Sequence, residues 1–374
     1  MRIQAVRTKS DLKTFITFPW RIYREDPQWV PPMILDIKFV LGDNPFWEHA
    51  EKELFLAYDD SGKPVGRIAA IIDRNYITFQ NEKAGFFGFF ECVNDGAVAA
   101  ALFDKARAWL AERGMSVMRG PMNPSTNDEC GFLCDGFDTP PRLMMPHTPP
   151  YYLGLAEQSG LVKAKELYAY DMDVSAGPLE RLERLSAIAY KKNPGLKVRK
   201  LNKRDFKNEI DRAISIYNAA WEKNWGFVPW TDKEFHTIAG RLKSLLLLDT
   251  TLLAETDGKP VGMLIAVPDY NIVMKKINGR LFPTGIFKFL YHKNKIDALR
   301  LMIMGVVRES RQHGIEGVMY YEALKNAQKL GYTKCEFSWV LDDNIMTQRA
   351  AEMMGGKLYK KYRIYEQVIL KKGE

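Results

Sequence analysis

The stretch LFLAYDDSGKPVGRIAAIID, residues 54–73, returns as LLAETDGKPVGMLIAVPD, residues 252–269, with Gly66 aligned on Gly262, 196 positions later. Each copy places two apolar runs around a Gly-Lys-Pro turn, which is the pattern of a β-hairpin. A second match follows at almost the same spacing. YYLGLAEQSGLVKAKELYAYD (151–171) aligns with MTQRAAEMMGGKLYKKYRIYE (346–366), pairing Glu157 with Glu352, Gly160 with Gly355 and Tyr170 with Tyr365, each 195 positions apart. One hairpin can resemble another by chance, but two matches at nearly one offset describe a duplicated unit.

Both copies predict the same order of elements. An opening strand (3–7; 198–201) leads through helices to the hairpin and then to a third strand (85–93; 300–307). A long helix (97–113; 317–330) ends at Gly114 or Gly331, and a further strand (116–119; 333–340), a short helix and a final strand complete the unit. Helices interleaved with strands make this an α/β chain with a mixed sheet. The expected division is an N-terminal domain over 1–174, a Pro-containing connection over 175–195 and a C-terminal domain over 196–374. With 374 residues, 46% hydrophobic and 27% charged, each copy is long enough for its own core.

Composition narrows the function. Apolar runs such as SLLLLDTTLLA stop well short of the ~20 residues of a membrane span, and MRIQAVRTKSDL lacks the apolar core of a signal peptide. Four scattered cysteines without a neighbouring histidine pair give no metal-ligand spacing and fit a reducing, cytoplasmic setting. The net charge of +8 permits a polyanionic cofactor or weak contact with an anionic lipid surface. No zinc-finger, helix-turn-helix or RNA-binding signature is present, so nucleic acid is not expected as a partner.

The copies differ in two places. Between the long helix and the next matched glutamate, the first copy is 22 residues longer and contains NPSTNDECGFLCDGFDTPP, with Asn127 in a stretch rich in turn residues. The second difference is the link between third strand and long helix. The second copy reads MGVVRESRQHGIEG (304–317), whereas the first reads VNDGAVAA. A strand, a basic glycine turn and a helix start together aim backbone N–H groups and the helix dipole at one point, which favours a phosphate. Only the second copy has that combination.

This order of strands, with Met304-Gly-Val-Val-Arg-Glu-Ser-Arg-Gln-His-Gly-Ile315 between the third strand and the long helix and Asn344 and Gly355 beyond it, resembles the GNAT superfamily of acyl-CoA N-acyltransferases. The resemblance spans the chain as two tandem domains. It implies acetyl-CoA or a longer acyl-CoA as co-substrate, with no metal. Main-chain groups of Met304 and Val306 would pair with the pantetheine arm. Arg311, Gln312, His313, Gly314, Ile315 and Gly317 would wrap the pyrophosphate, and Asn344 matches a position that often touches the cofactor. Two residues depart from the family pattern: Glu316 stands where a small residue is usual, and Ala351 where a tyrosine acid is frequent. More narrowly, DPQWVPP, RGPMNPSTNDECG, NWGFVP and the PPYY segment resemble a group of bacterial tandem-GNAT proteins of the YghO type, which includes proteins proposed to N-acylate a sphingoid base.

Transfer from a thioester to an amine needs a proton acceptor for the amine and a donor for the leaving thiolate. Glu336 alternates with Ser338 on one face of the strand after Gly331 and is the first candidate base. Tyr365 is a candidate acid. Glu91 on the third strand of the first copy is a second carboxylate, and His147 is a loop base. Trp221 and Trp225, spaced i,i+4 before the second hairpin, and Asn127 in the long loop are candidates for binding a small-molecule or lipid-like amine. Three activities fit: a CoA-dependent N-acyltransferase, a tandem protein using aminoacyl-tRNA, and a degenerate binding protein without catalysis.

Overall fold

The computed structural model describes residues 1–369. It resolves into two compact units. Unit one comprises Met1–Leu167, Asn271–Tyr291 and the chain from Lys360; unit two comprises Tyr168–Tyr270 and His292–Tyr359.

In unit one, strands Arg2–Ala5, Ala50–Tyr58, Pro64–Asp73 and Ala84–Cys92 run antiparallel in that order. Val117–Gly120 then joins Ala84–Cys92 in parallel, after the crossover helix Gly96–Ala111. Unit two repeats the plan with Leu196–Lys200, Thr251–Thr256, Lys259–Pro268, Ala298–Val306, the helix Ile315–Lys329 and the parallel strand Lys334–Leu341. The registers repeat as well. Gly66 faces Ala57 and Cys92, and Gly262 faces Ala254 and Val306. The repeated elements lie within about two residues of the sequence expectation, because apolar runs bounded by turn residues and helix-ending glycines mark where each begins and ends.

The duplicated α/β plan with a mixed sheet stands, but the units do not divide at 174. Unit one takes its last strand from the C-terminus, with Tyr365 paired to Gly120 and Val368 to Val117. Residues Tyr168–Asp173 belong to unit two, beside Lys334–Leu341. Residues 175–195 are not a bare connection either. They form the helix Leu179–Lys192, which buries Leu182, Ser186 and Ala189 at i, i+4 and i+7 against the helix Ile315–Lys329. Two prolines and several charges suggested a linker, yet Pro178 sits at the helix N-cap and the charges line its outer face.

The long first-copy loop is also largely ordered. Met122–Asn123 pairs with Glu129–Cys130, and Phe132–Asp135 adds to the final strand, with Phe132 and Leu133 buried. Among the described residues, no helix is long and apolar enough to cross a membrane, and no cluster of three or more His, Cys, Asp or Glu side chains is arranged to hold a metal ion.

Candidate functional site

The site grows from the end of the strand Ala298–Val306. Its parallel pairing with Lys334–Leu341 runs from Ala298↔Lys334 to Leu301↔Phe337 and stops there, while both strands continue. On the other side Met304 and Val306 stay in register with Leu264 and Gly262. The outer half of Ala298–Val306 thus carries half-buried Met304 and Gly305 along a diverging edge. Such an edge offers main-chain groups to an extended ligand.

Beyond Val306 the chain turns through Arg308–Ser310, Gln312 at φ 69° and Gly314 at φ 78° before the helix starts at Ile315. Gly314 is the N-cap, and no side chain caps this helix. A side chain at Gly314 would reach to 3.0 Å from Ala189 Cβ, and Asn193 Nδ2 donates to the His313 carbonyl at 3.0 Å. The helix Leu179–Lys192 therefore buttresses the turn. Gly317, in the first helical turn, faces open space. Oriented N–H groups, a positive helix end and the lack of a side-chain cap make this a receptive site for phosphate, with Glu316 an acidic residue of the same first turn.

Arg311 does more than supply charge. Its Nε donates to the Val306 carbonyl at 3.0 Å and its Nη2 to the Ala220 carbonyl at 2.7 Å. The guanidinium thereby ties the end of the helix Phe206–Trp221 to the end of the strand. Glu316 lies close enough to Tyr320, one turn on, to help raise that buried phenol, although burial is the larger cause.

Unit one has the same scaffold in a closed form. Its parallel pair stops at Phe86↔Arg119, and Met122–Asn123 folds back over the strand Ala84–Cys92. Asn123 Oδ1 accepts from Phe89 N at 2.7 Å, and a Cβ on Gly88 would come within 1.8 Å of the Met122 carbonyl. The helix Gly96–Ala111 is capped by Asp95, whose carboxylate accepts from Ala97 N and Val98 N at 2.8 and 3.3 Å.

No family model matches the chain. Two curated relatives match along its length. The protein YghO of Escherichia coli K12 is 35% identical over 377 residues, covering 98% of this chain and 95% of its own. The bacterial ceramide synthase of Caulobacter vibrioides is 36% identical over 375 residues, covering 97% and 96%. The chain belongs to the YghO and bacterial ceramide synthase family. Its fold is also that of tandem GNAT proteins. A tandem GNAT protein from the clavulanic acid pathway superposes with a TM-score of 0.59 at 10% identity, covering 99% of this chain and 98% of that one. A GCN5-related N-acetyltransferase from Sphaerobacter thermophilus gives 0.55 at 12%, covering 98% and 96%.

On this family scaffold the expected site residues fall into two groups. Unit two holds Met304, Val306, the Arg311–Gly317 turn, Trp221 and Glu336. Gly305 is bare because the Trp221 ring lies on it: an added Cβ would sit 2.3 Å from that ring. Trp221 stacks on Tyr217 with centroids 4.8 Å apart. Trp225 does not share that helix face, because the helix ends at Trp221; the i,i+4 stack is Tyr217 with Trp221. Asn344 caps the helix Ile345–Met353 by accepting from Thr347 N, and Ala351 is buried in that helix.

Glu336 is fully buried opposite Arg300, at the vertex where the two strands part. One carboxylate oxygen accepts from Ser338 Oγ and the other from Tyr359 OH, while Arg300 Nε donates to Ser338 Oγ at 2.8 Å and lies 3.8 Å from the carboxylate. Arg300 and Tyr359 escaped the sequence reading, since their signal is contact with Glu336 rather than spacing.

Unit one holds the remaining candidates. Tyr365 OH donates to Glu157 at 2.9 Å, and burial pushes its phenol up to about 12. Glu91 is buried with Tyr152 OH donating at 2.7 Å and Arg67 at 3.5 Å; burial outweighs the arginine and raises its carboxyl. His147 Nε2 lies 2.8 Å from Asp26, and burial nevertheless lowers its imidazole. Asn127 lies in the ordered loop, its N–H donating to Ser125 Oγ at 3.1 Å.

Proposed function

We propose that the protein transfers an acyl group from a coenzyme A thioester to the nitrogen of an amine, with the cofactor on unit two. The uncapped helix start at Gly314, at the end of a diverging strand, carries the reading. Pantetheine would pair with the main chain of Met304 and Val306. The pyrophosphate would lie against the N–H groups from Ile315 to Gly317, ringed by Arg311, Gln312 and His313, with Asn344 nearby. In the reaction the amine attacks the thioester carbonyl. The C–N bond forms as the C–S bond breaks, one proton leaves the nitrogen, and the thiolate takes one up.

Glu336 is our first candidate for the proton acceptor, working through the hydroxyl of Ser338 or Tyr359, because its own oxygens are already hydrogen-bonded. Glu91 and Tyr365 are secondary candidates. The acceptor we favour is a long-chain amino alcohol. A relative named ceramide synthase supports it, as does the aromatic cover that Trp221 and Tyr217 lay over the strand end. The test follows release of free CoA from acyl-CoA with a long-chain amino alcohol, a polyamine, an amino acid or an aminoglycoside. Faster release with a small polar amine would remove the lipid-like acceptor and leave the acyltransferase.

Two observations favour a second reading, a binding protein without catalysis: Arg311 is committed to two carbonyls, and Ala351 replaces the family tyrosine. Tight retention of acyl-CoA with no CoA release in any arm would select it.

A further inference from the structure

The segment between Asp269 and Asp297 contains six Lys or Arg residues and no Asp or Glu. At the chain's overall acidic content a stretch of that length would carry about three acids. The segment folds as the helix Asn271–Ile277, a turn, and the helix Gly285–His292, of which residues 271–291 lie in unit one. The turn and the second helix display Phe282, Phe287, Leu290 and Tyr291 at 70, 71, 51 and 65% exposure. Phe287, Leu290 and Tyr291 follow i, i+3, i+4 spacing and share one helix face. Lys275, Lys276, Arg280 and Lys288 are exposed beside them.

The display is held in place from beneath. Ile277 and Gly279 are buried, and a Cβ on Gly279 would meet the Pro32 carbonyl and the Trp20 ring, each at 2.6 Å. Trp20 Nε1 donates to Asn278 Oδ1 at 2.8 Å, Ile34 N to the Gly279 carbonyl at 3.1 Å, and Asn271 Nδ2 to the Pro141 carbonyl at 2.9 Å. Four large apolar side chains kept in water by an anchored turn and helix are an unfavourable arrangement unless something covers them.

We propose that this face docks on an anionic lipid bilayer, with the aromatic side chains entering the headgroup boundary and the cations lying over lipid phosphates. The charge pattern decides between lipid and protein. Lysine is depleted at protein–protein interfaces, whereas an aromatic helix face flanked by lysines is the composition of interfacial membrane helices. The short helix is sized to lie in the boundary, not to cross it. This locates on one surface the lipid attraction that the net +8 only permits, and it does not depend on acyl transfer.

The experiment floats the full-length protein with vesicles of equimolar phosphatidylglycerol and phosphatidylcholine, and with pure phosphatidylcholine, at low and high salt. Flotation is expected with the anionic vesicles, weakening as salt screens the contact. Lys276→Glu/Arg280→Glu/Lys288→Glu should weaken partitioning at least a hundredfold, at about five-fold for each cation lost near the surface. Phe287→Ser/Leu290→Ser should weaken it on the order of ten-fold. Melting temperature and CoA binding, measured on the same variants, report whether they fold. Equal flotation with neutral vesicles, or folded variants that float like the parent, would overturn the proposal. Absence of flotation together with self-association that Phe287→Ser/Leu290→Ser abolishes would overturn it too, in favour of a protein partner.

Discussion

The helix Gly96–Ala111 and the helix Ile315–Lys329 leave equivalent strands in a duplicated scaffold, yet they begin in opposite ways. At the first, the Asp95 carboxylate occupies the positive helix end, and Met122–Asn123 folds over the diverging strand. At the second, Gly314 turns the chain without a side-chain cap, and Gly317 opens on empty space. Duplication preserved the scaffold; a capping carboxylate and a folded-back segment distinguish the first helix start from the second, whose first turn holds Glu316 without a side-chain cap. A helix N-terminus receives a ligand only where the chain does not satisfy it internally.

The largest expected effect separates chemistry from binding within unit two. Glu336→Gln should lower kcat by roughly a hundredfold or more if the carboxylate takes up the amine proton, while calorimetry reads an unchanged CoA affinity. A full-rate variant would move the base elsewhere, with Glu91→Gln the next to measure. Next comes the turn itself. Arg311→Glu should weaken CoA binding by roughly tenfold to a hundredfold, from the loss of a charge-assisted contact worth about 1.5–3 kcal/mol. Unchanged affinity would remove the phosphate role and leave Arg311 as the tie between Val306 and Ala220.

A matched pair tests the comparison more sharply. Gly317→Asp puts a carboxylate in the first turn of the receptive helix, where a side chain has room. It should weaken CoA binding about tenfold without lowering the melting temperature, since an acidic first turn suits the helix dipole. Asp95→Ala should do the reverse: CoA affinity stays, and stability falls by about 1 kcal/mol through the lost cap. If both variants alter CoA binding equally, the two helix ends are not functionally distinct.

The smallest effects come from the buried titratable groups of unit one. Burial lowers the His147 imidazole below its usual 6.5, so the folded state favours the neutral ring. Its contribution to stability is present above pH 6.5 and is lost as pH falls from there through the depressed folded value. Burial raises the Glu91 carboxyl above 4.5, so its contribution has the opposite slope and declines as pH rises from 4.5 through the raised value. Denaturation profiles of His147→Asn and Glu91→Gln should each lose one of these slopes. Parent-like profiles would show that neither group titrates differently on folding.

Local pattern determined much of this molecule. Apolar runs on either side of Gly-Lys-Pro specified both hairpins, the glycines ending the long helices specified their length, and Arg311 to Gly314 marked the open turn. Elements repeated in sequence were repeated in register, down to Gly66 and Gly262. Tertiary structure alone decided which strand edge each closing strand joins, for Tyr365 beside Gly120 carries the same alternation it would carry anywhere. It also decided that 175–195 packs as a helix, that Asn123 closes the first diverging strand, that Glu336 meets Ser338 and Tyr359, and that Phe287 and Leu290 face outward. The reason is physical. Periodicity and turn chemistry act between residues a few positions apart, whereas burial, strand partners and the pairing of a buried carboxylate depend on groups brought together from distant parts of the chain.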